Sequence, residues 1–151
     1  MHVVDVRETG SDDPLGSHIV LLEEQGGRRR LPIWIGKPEA TMLLHDLTTP
    51  RPDTYRFAAD LLAAVGGELR EVRIVRLAEE VFYGQAVLAD GAEVDARPSD
   101  ALNLALVRGA PVLVEETVLE RAAESERETA ELLAAALASP RGARALSLIH
   151  I

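Results

Sequence analysis

The segment VDARPSDALNLAL, residues 94–106, sets Asp95, Arg97, Ser99 and Asp100 close together where an alternating run gives way to helical spacing. Such a set offers carboxylates to position water or a cation, a guanidinium to neutralise an oxyanion, and a hydroxyl for hydrogen bonding. Period-two geometry sends Asp95 and Arg97 to one side of their strand and Ala96 to the other. Pro98 suits the first helical position, and Ser99 or Asp100 can accept hydrogen bonds from the unpaired amides of the first turn. Two readings follow. One is a helix cap beside an internal Asp95–Arg97 ion pair; the other is an anion pocket that the helix start and Arg97 complete together.

A second element of the same kind, Arg51-Pro52-Asp53-Thr54, also precedes a helical run. Two arginines beside two helix starts could clamp a phosphodiester, or could bind carbonyls and carboxylates of their own chain. Glu39 and Asp46 lie seven residues apart on nearly one helix face, but the rise between them is roughly 10 Å, too far for one metal ion. A divalent ion such as Mg²⁺ or Mn²⁺ would need Asp95 or Asp100 as well. Otherwise Glu39 serves the positive end of its helix. His45 has no recognisable partner and Ser99 stands in no nucleophile motif. Phosphate loops of the Gly-rich Lys-Ser type, Gly-x-Ser-x-Gly elbows and His-Glu-x-x-His sites are absent from the sequence.

The elements that must position these residues are marked by periodicity. HVVDVRE, HIVLLEE and RRRLPIWIG read as three strands, the last two a hairpin. Trp34, a single indole among apolar neighbours, is expected to anchor its strand in the core. KPEATMLLHDL predicts a short helix with Ala40, Leu43, Leu44 and Leu47 on its apolar face, and TYRFAADLLAAVGG a second with Phe57, Leu61, Leu62 and Val65. Residues 68–96 read as a three-stranded meander. A third helix, with Leu102, Ala105 and Leu106 on one face, ends at Gly109, and APVLVEETVL reads as a last strand. From Glu120 the chain predicts a helical tail with a narrow stripe of Leu132, Leu133, Ala136 and Leu137.

These elements imply a single α+β domain over residues 1–119, a mixed or antiparallel sheet packed with about three helices, and a loosely attached helical tail over 120–151. The 151 residues suffice for one core. The absence of cysteine removes disulfides and thiolate metal sites. No apolar run approaches the roughly 20 residues of a membrane span, so a soluble, cytoplasmic protein is expected. Of the net charge of -9, the first 119 residues carry -8, with 20 acidic against 12 basic residues. That balance excludes a surface that coats nucleic acid non-specifically and leaves room only for a local basic cleft.

Taken in order and spacing, LPIWIGKPEA, PRPDT, VFYGQAVL and VDARPSDALNLAL resemble the bifunctional nuclease domain family. The resemblance implies an α+β fold, self-association, most simply as a dimer, and nuclease activity on RNA and DNA. It points to Glu39, Asp95, Arg97 and Asp100 as catalytic candidates and to Arg51, Thr54 and Ser99 as substrate-binding candidates, with nucleic acid as substrate. Where the family pattern typically bears a histidine, this chain has Tyr55, a poor base at neutral pH with its ordinary pKa near 10. A nuclease is the leading reading; the alternatives are a non-catalytic oligomeric regulatory or scaffold domain, or a module binding a small anion.

Overall fold

The computed structural model describes residues 1–8, 18–44 and 51–138. Strands β1 (His2–Glu8), β2 (His18–Glu23) and β3 (Arg30–Ile35) form an antiparallel sheet in that order. Strands β4 (Leu69–Ala78), β5 (Val81–Leu88), β6 (Glu93–Ala96) and β7 (Val112–Val114) form a second sheet, ordered β6-β5-β4-β7, with β7 parallel to β4. Helices α1 (Lys37–Leu44), α2 (Thr54–Ala64), α3 (Pro98–Arg108) and α4 (Glu116–Ala138) complete the expected α+β class. The strands divide between two sheets instead of joining in one.

A continuous core joins both sheets. Alternation along β2 and β3 turns Val20, Leu22, Leu31, Ile33 and Ile35 inward to meet Ala40 and Leu43 of α1, Val72 and Ile74 of β4, and Leu102 of α3. Helix α3 is the most enclosed: Pro98, Ser99, Ala101, Leu102, Asn103 and Ala105 are all buried. Small side chains let it approach the second sheet, and Gly84 of β5 makes the same allowance from the other side. A methyl group there would stand 3.3 Å from Pro98 Cα and 3.1 Å from the Ala96 carbonyl oxygen. Proline at the first position starts the helix, and Gly109 ends it in the left-handed region at φ 63°.

Four expectations need correction. Trp34 is 56% exposed, because its inward-facing neighbours are Ile33 and Ile35 and it pairs with Ile19 on the opposite face of the first sheet. On α2 the stripe Phe57, Leu61 and Val65 faces outward, exposed by 60, 55 and 76%, while Ala59 is buried. That helix leans on α3 through its small-residue side, and Arg108 donates to the Ala59 carbonyl. The last strand stops at Val114, and Val118 and Leu119 are buried on the first turn of α4 instead. Leu44 and Leu106, both read as face residues, are exposed. Leu47, His45 and Asp46 lie outside the described residues. Within the tail stripe Leu132 is exposed, and the side chains of Leu133, Ala136 and Leu137 lie outside the description. Among the described residues, no helix is long and apolar enough to cross a membrane.

Candidate functional site

Strand β6 ends at Ala96, and Arg97 takes φ -64° and ψ 145° as the residue that opens α3. Its side chain therefore leaves the strand's alternation and lies over the start of the helix. The guanidinium makes three charge-assisted hydrogen bonds: Nε to Asp100 Oδ2 at 2.8 Å, Nη2 to Asp100 Oδ1 at 3.0 Å, and Nη2 to Glu39 Oε1 at 2.9 Å. Tyr55, in the first turn of α2, donates its hydroxyl to Asp100 Oδ1 at 2.8 Å. Helices α1, α2 and α3 thus meet at one constellation of two acids, one arginine and one phenol.

Beneath it, buried Asn103 donates to the Ser99 carbonyl at 2.9 Å and to the Glu39 carbonyl at 3.2 Å, tying α3 to α1. The Glu39 side chain is 14% exposed, that of Asp100 34% and that of Arg97 66%. The cluster is rooted in the fold and open at the arginine. Gly36, just before α1, leaves room for the glutamate: a methyl group there would stand 2.5 Å from Glu39 Oε2.

The electrostatics fix the states of Asp100 and Tyr55. Hydrogen bonds from Arg97, with a further one from Tyr55, hold the Asp100 carboxyl below its usual range despite its partial burial. Burial first, then the hydrogen bond to Asp100, pushes the Tyr55 phenol above its usual range. Asp100 in turn holds Arg97 above the ordinary guanidinium value. Asp100 is thus an ionised acceptor with both oxygens engaged, and Tyr55 a neutral donor; neither exchanges protons near neutral pH. Glu39 Oε2 and the Nη1 group of Arg97 make no hydrogen bond with any described residue. Those are the groups with capacity left for a ligand.

A divalent ion does not fit this arrangement. Between the two carboxylates stands a guanidinium of like charge to the metal, and both Asp100 oxygens already accept hydrogen bonds. Among the described residues, no group of three His, Cys, Asp or Glu side chains could hold a metal ion.

The remaining candidates lie elsewhere. Asp95 sits in register with Gln85, which faces Arg73, so it belongs to a polar row across the second sheet. The internal Asp95–Arg97 pair is replaced by Arg97 pairs with Asp100 and Glu39, because the chain turns at Ala96 before period two can carry to residue 97. Neither does Ser99 or Asp100 provide the expected cap: Arg97 is the capping residue and makes no side-chain cap bond. Ser99 is packed within the buried face of α3. Arg51 and Thr54 are exposed at the start of α2, where Asp53 Oδ1 accepts from the Arg56 amide at 2.9 Å. Tyr55, not Thr54, reaches the cluster. Sequence reasoning missed Asn103 and the partnership of Tyr55. Asn103 falls four residues after Ser99 and next to Leu102, and a polar residue on the core side of a helix is a usable signal.

Fold and cluster define an α+β domain organised around an acid–arginine constellation at the start of a buried helix. The chain belongs to the bifunctional nuclease domain family, which it matches over residues 20–127. It is 43% identical over 114 residues to an uncharacterized protein of Mycobacterium tuberculosis, covering 74% of this chain and 70% of that one. It is 30% identical over 105 residues to bifunctional nuclease 1 of Oryza sativa subsp. indica, covering 64% of this chain and 32% of the rice protein. Against bifunctional nuclease 2 of Arabidopsis thaliana it is 31% identical over 107 residues, covering 65% and 32%. The chain thus spans about a third of the length of these plant relatives.

Proposed function

We propose that this chain hydrolyses phosphodiester bonds in RNA or DNA at the Glu39–Arg97–Asp100 cluster. One observation carries the reading: an exposed guanidinium is held by two carboxylates, with neither Nη1 N–H group bonded to a described residue. Donors fixed in advance stabilise developing charge without reorganising at the moment of reaction. In this reading Arg97 binds a non-bridging phosphate oxygen, and Glu39 Oε2 takes a proton from the attacking water. Asp100 and Tyr55 orient the arginine. Arg51 and Thr54, exposed at the start of α2, extend contact along the strand, and the α3 start with Ser99 adds its positive end.

Two carboxylates against one guanidinium leave the cluster one negative charge in excess, so phosphate approaches against repulsion. Glu39→Gln removes that excess together with the base. Cleavage of single-stranded RNA and DNA, with and without Mg²⁺ or Mn²⁺, is expected to fall at least tenfold in this variant, while binding of the same oligonucleotides tightens. Absence of wild-type cleavage above the variant under every metal condition would sink the nuclease reading.

A second reading, a non-catalytic oligomeric regulatory or scaffold domain, is favoured by the outward apolar stripe Phe57, Leu61 and Val65. The two readings agree on self-association, and a homodimer is the expected assembly.

A further inference from the structure

We infer that the Arg97 guanidinium is itself the cation of this site: it takes the place between Glu39 and Asp100 that a divalent ion would need, and phosphodiester binding there proceeds without Mg²⁺ or Mn²⁺. The inference rests on the proposed nuclease reading for its activity measurement only. Its structural part stands on the donor count of the guanidinium and the acceptor count of the acids.

An arginine has five N–H donors in a planar fork. Here three are spent, one from Nε and two from Nη2, on oxygens at 2.8, 3.0 and 2.9 Å. The acceptors are drawn from two helices, Asp100 on α3 and Glu39 on α1, the latter 58 residues from Arg97 in sequence. One cation therefore bridges two carboxylates from separate elements, as a metal ion bridges its ligands in hydrolytic sites. On the Asp100 side both oxygens are engaged, Oδ2 by Arg97 and Oδ1 by Arg97 and by Tyr55 at 2.8 Å. A metal entering would have to expel a guanidinium held by three charge-assisted bonds and would remain beside its charge. Of the two Nη1 donors, one lies parallel to the Nη2 N–H that Glu39 receives and the other faces the side of the fork opposite Asp100; neither makes a hydrogen bond with a described residue. A phosphate oxygen there receives from the arginine the charge neutralisation that a metal supplies elsewhere.

Paramagnetic Mn²⁺ tests this directly on the full chain. In wild type, NMR signals of Glu39 and Asp100 should stay unbroadened at a several-fold excess of MnCl₂. In Arg97→Met, which keeps the apolar stem and removes the charge, the two acids lose their resident cation, so broadening at both residues is expected, and Arg97→Met/Asp100→Asn should abolish it. Cleavage by wild type, where measured, should be equal in EDTA and in Mg²⁺. Broadening at Glu39 and Asp100 in the wild type, a folded Arg97→Met that shows none, or cleavage abolished by EDTA would each overturn the inference. If Arg97→Met does not fold, the wild-type spectra alone decide it. No cleavage under any condition would sink the nuclease reading and leave the Mn²⁺ spectra to judge this one.

Discussion

Replacing Arg97 by alanine separates an anchoring role from a ligand-binding one, and the magnitude follows from exposure. Three hydrogen bonds donated by Arg97 disappear, two to Asp100 and one to Glu39. Exposed ion pairs contribute about 0–1 kcal/mol, whereas stripping the partner from a buried pair costs about 3–5 kcal/mol. With Arg97 66% exposed and Asp100 34%, the Asp100 pair lies at the screened end, and only Glu39, at 14%, approaches the sheltered one. A loss of about 1.5 kcal/mol is expected, or roughly 3–6 °C in Tm for a chain of this size. Its pH dependence has a definite sign. The folded Asp100 carboxyl is held below its unfolded value, chiefly by Arg97, so its contribution is present above about pH 3.9 and is lost as pH falls through the depressed folded value. The gap between wild type and Arg97→Ala in urea unfolding should be full at pH 7 and shrink as pH falls below the ordinary aspartate range. Cleavage or oligonucleotide binding should be lost at pH 7 while the variant is still folded. A loss above about 3 kcal/mol would mark the pair as structural, and a gap that does not change with pH would refute the Arg97–Asp100 pairing.

Three further outcomes are expected. Gly36→Ala brings a methyl group against Glu39 Oε2; the flexible carboxylate yields, so Tm should change by less than roughly 3 °C while cleavage falls toward the level of Glu39→Gln, and unaltered cleavage would contradict the role given to Oε2. We propose that the body ends near Leu119. Truncation there keeps buried Val118 and Leu119 but removes the Arg121 bond to the Leu77 carbonyl at 2.8 Å, so unfolding should stay cooperative with a loss of about 1–2 kcal/mol; a broad, non-cooperative transition would show that the tail belongs to the core. Light scattering should give twice the 16.3 kDa chain mass, with Phe57→Ser/Leu61→Ser shifting it toward one; a monomeric wild type at every concentration would refute the dimer.

Much of the fold was legible because its signals are local. Alternation marks β2 and β3, Pro98 and Gly109 bracket α3, and Asp53 caps α2. What was not legible depends on partners distant in sequence. Spacing shows that Phe57, Leu61 and Val65 share a face, but whether this chain covers that face depends on how α2 leans, and α3 receives Ala59 instead. Val118 and Leu119 form a short apolar run that suits a strand or a helix equally, and only packing against β4 decides. At the site, Asp100 lies three residues from Arg97 and within reach of any local argument. Glu39 lies 58 residues away, and nothing in its spacing announces the meeting. Asp95 was the wrong partner because period two describes a strand, and the strand had ended one residue before Arg97.

Tyr55 raised the sharpest objection to a nuclease, since the family resemblance led to a histidine at that place. Its geometry changes the weight of the objection. The side chain at position 55 donates a hydrogen bond to an acid that Arg97 already holds ionised, and a donor to a carboxylate is oriented to give a proton, not to take one from water. A histidine N–H can make the same bond. On this account the residue at position 55 is a brace for Asp100, and through Asp100 for Arg97, so exchanging imidazole for phenol alters the brace and leaves the base untouched. In the proposed nuclease the base is then an acceptor beside the guanidinium, and Glu39 Oε2, which makes no hydrogen bond with a described residue, suits that role. If Tyr55→Phe, which deletes the donor and keeps the ring, lowers cleavage as far as Glu39→Gln does while oligonucleotide binding and Tm are unchanged, position 55 takes part in proton transfer itself.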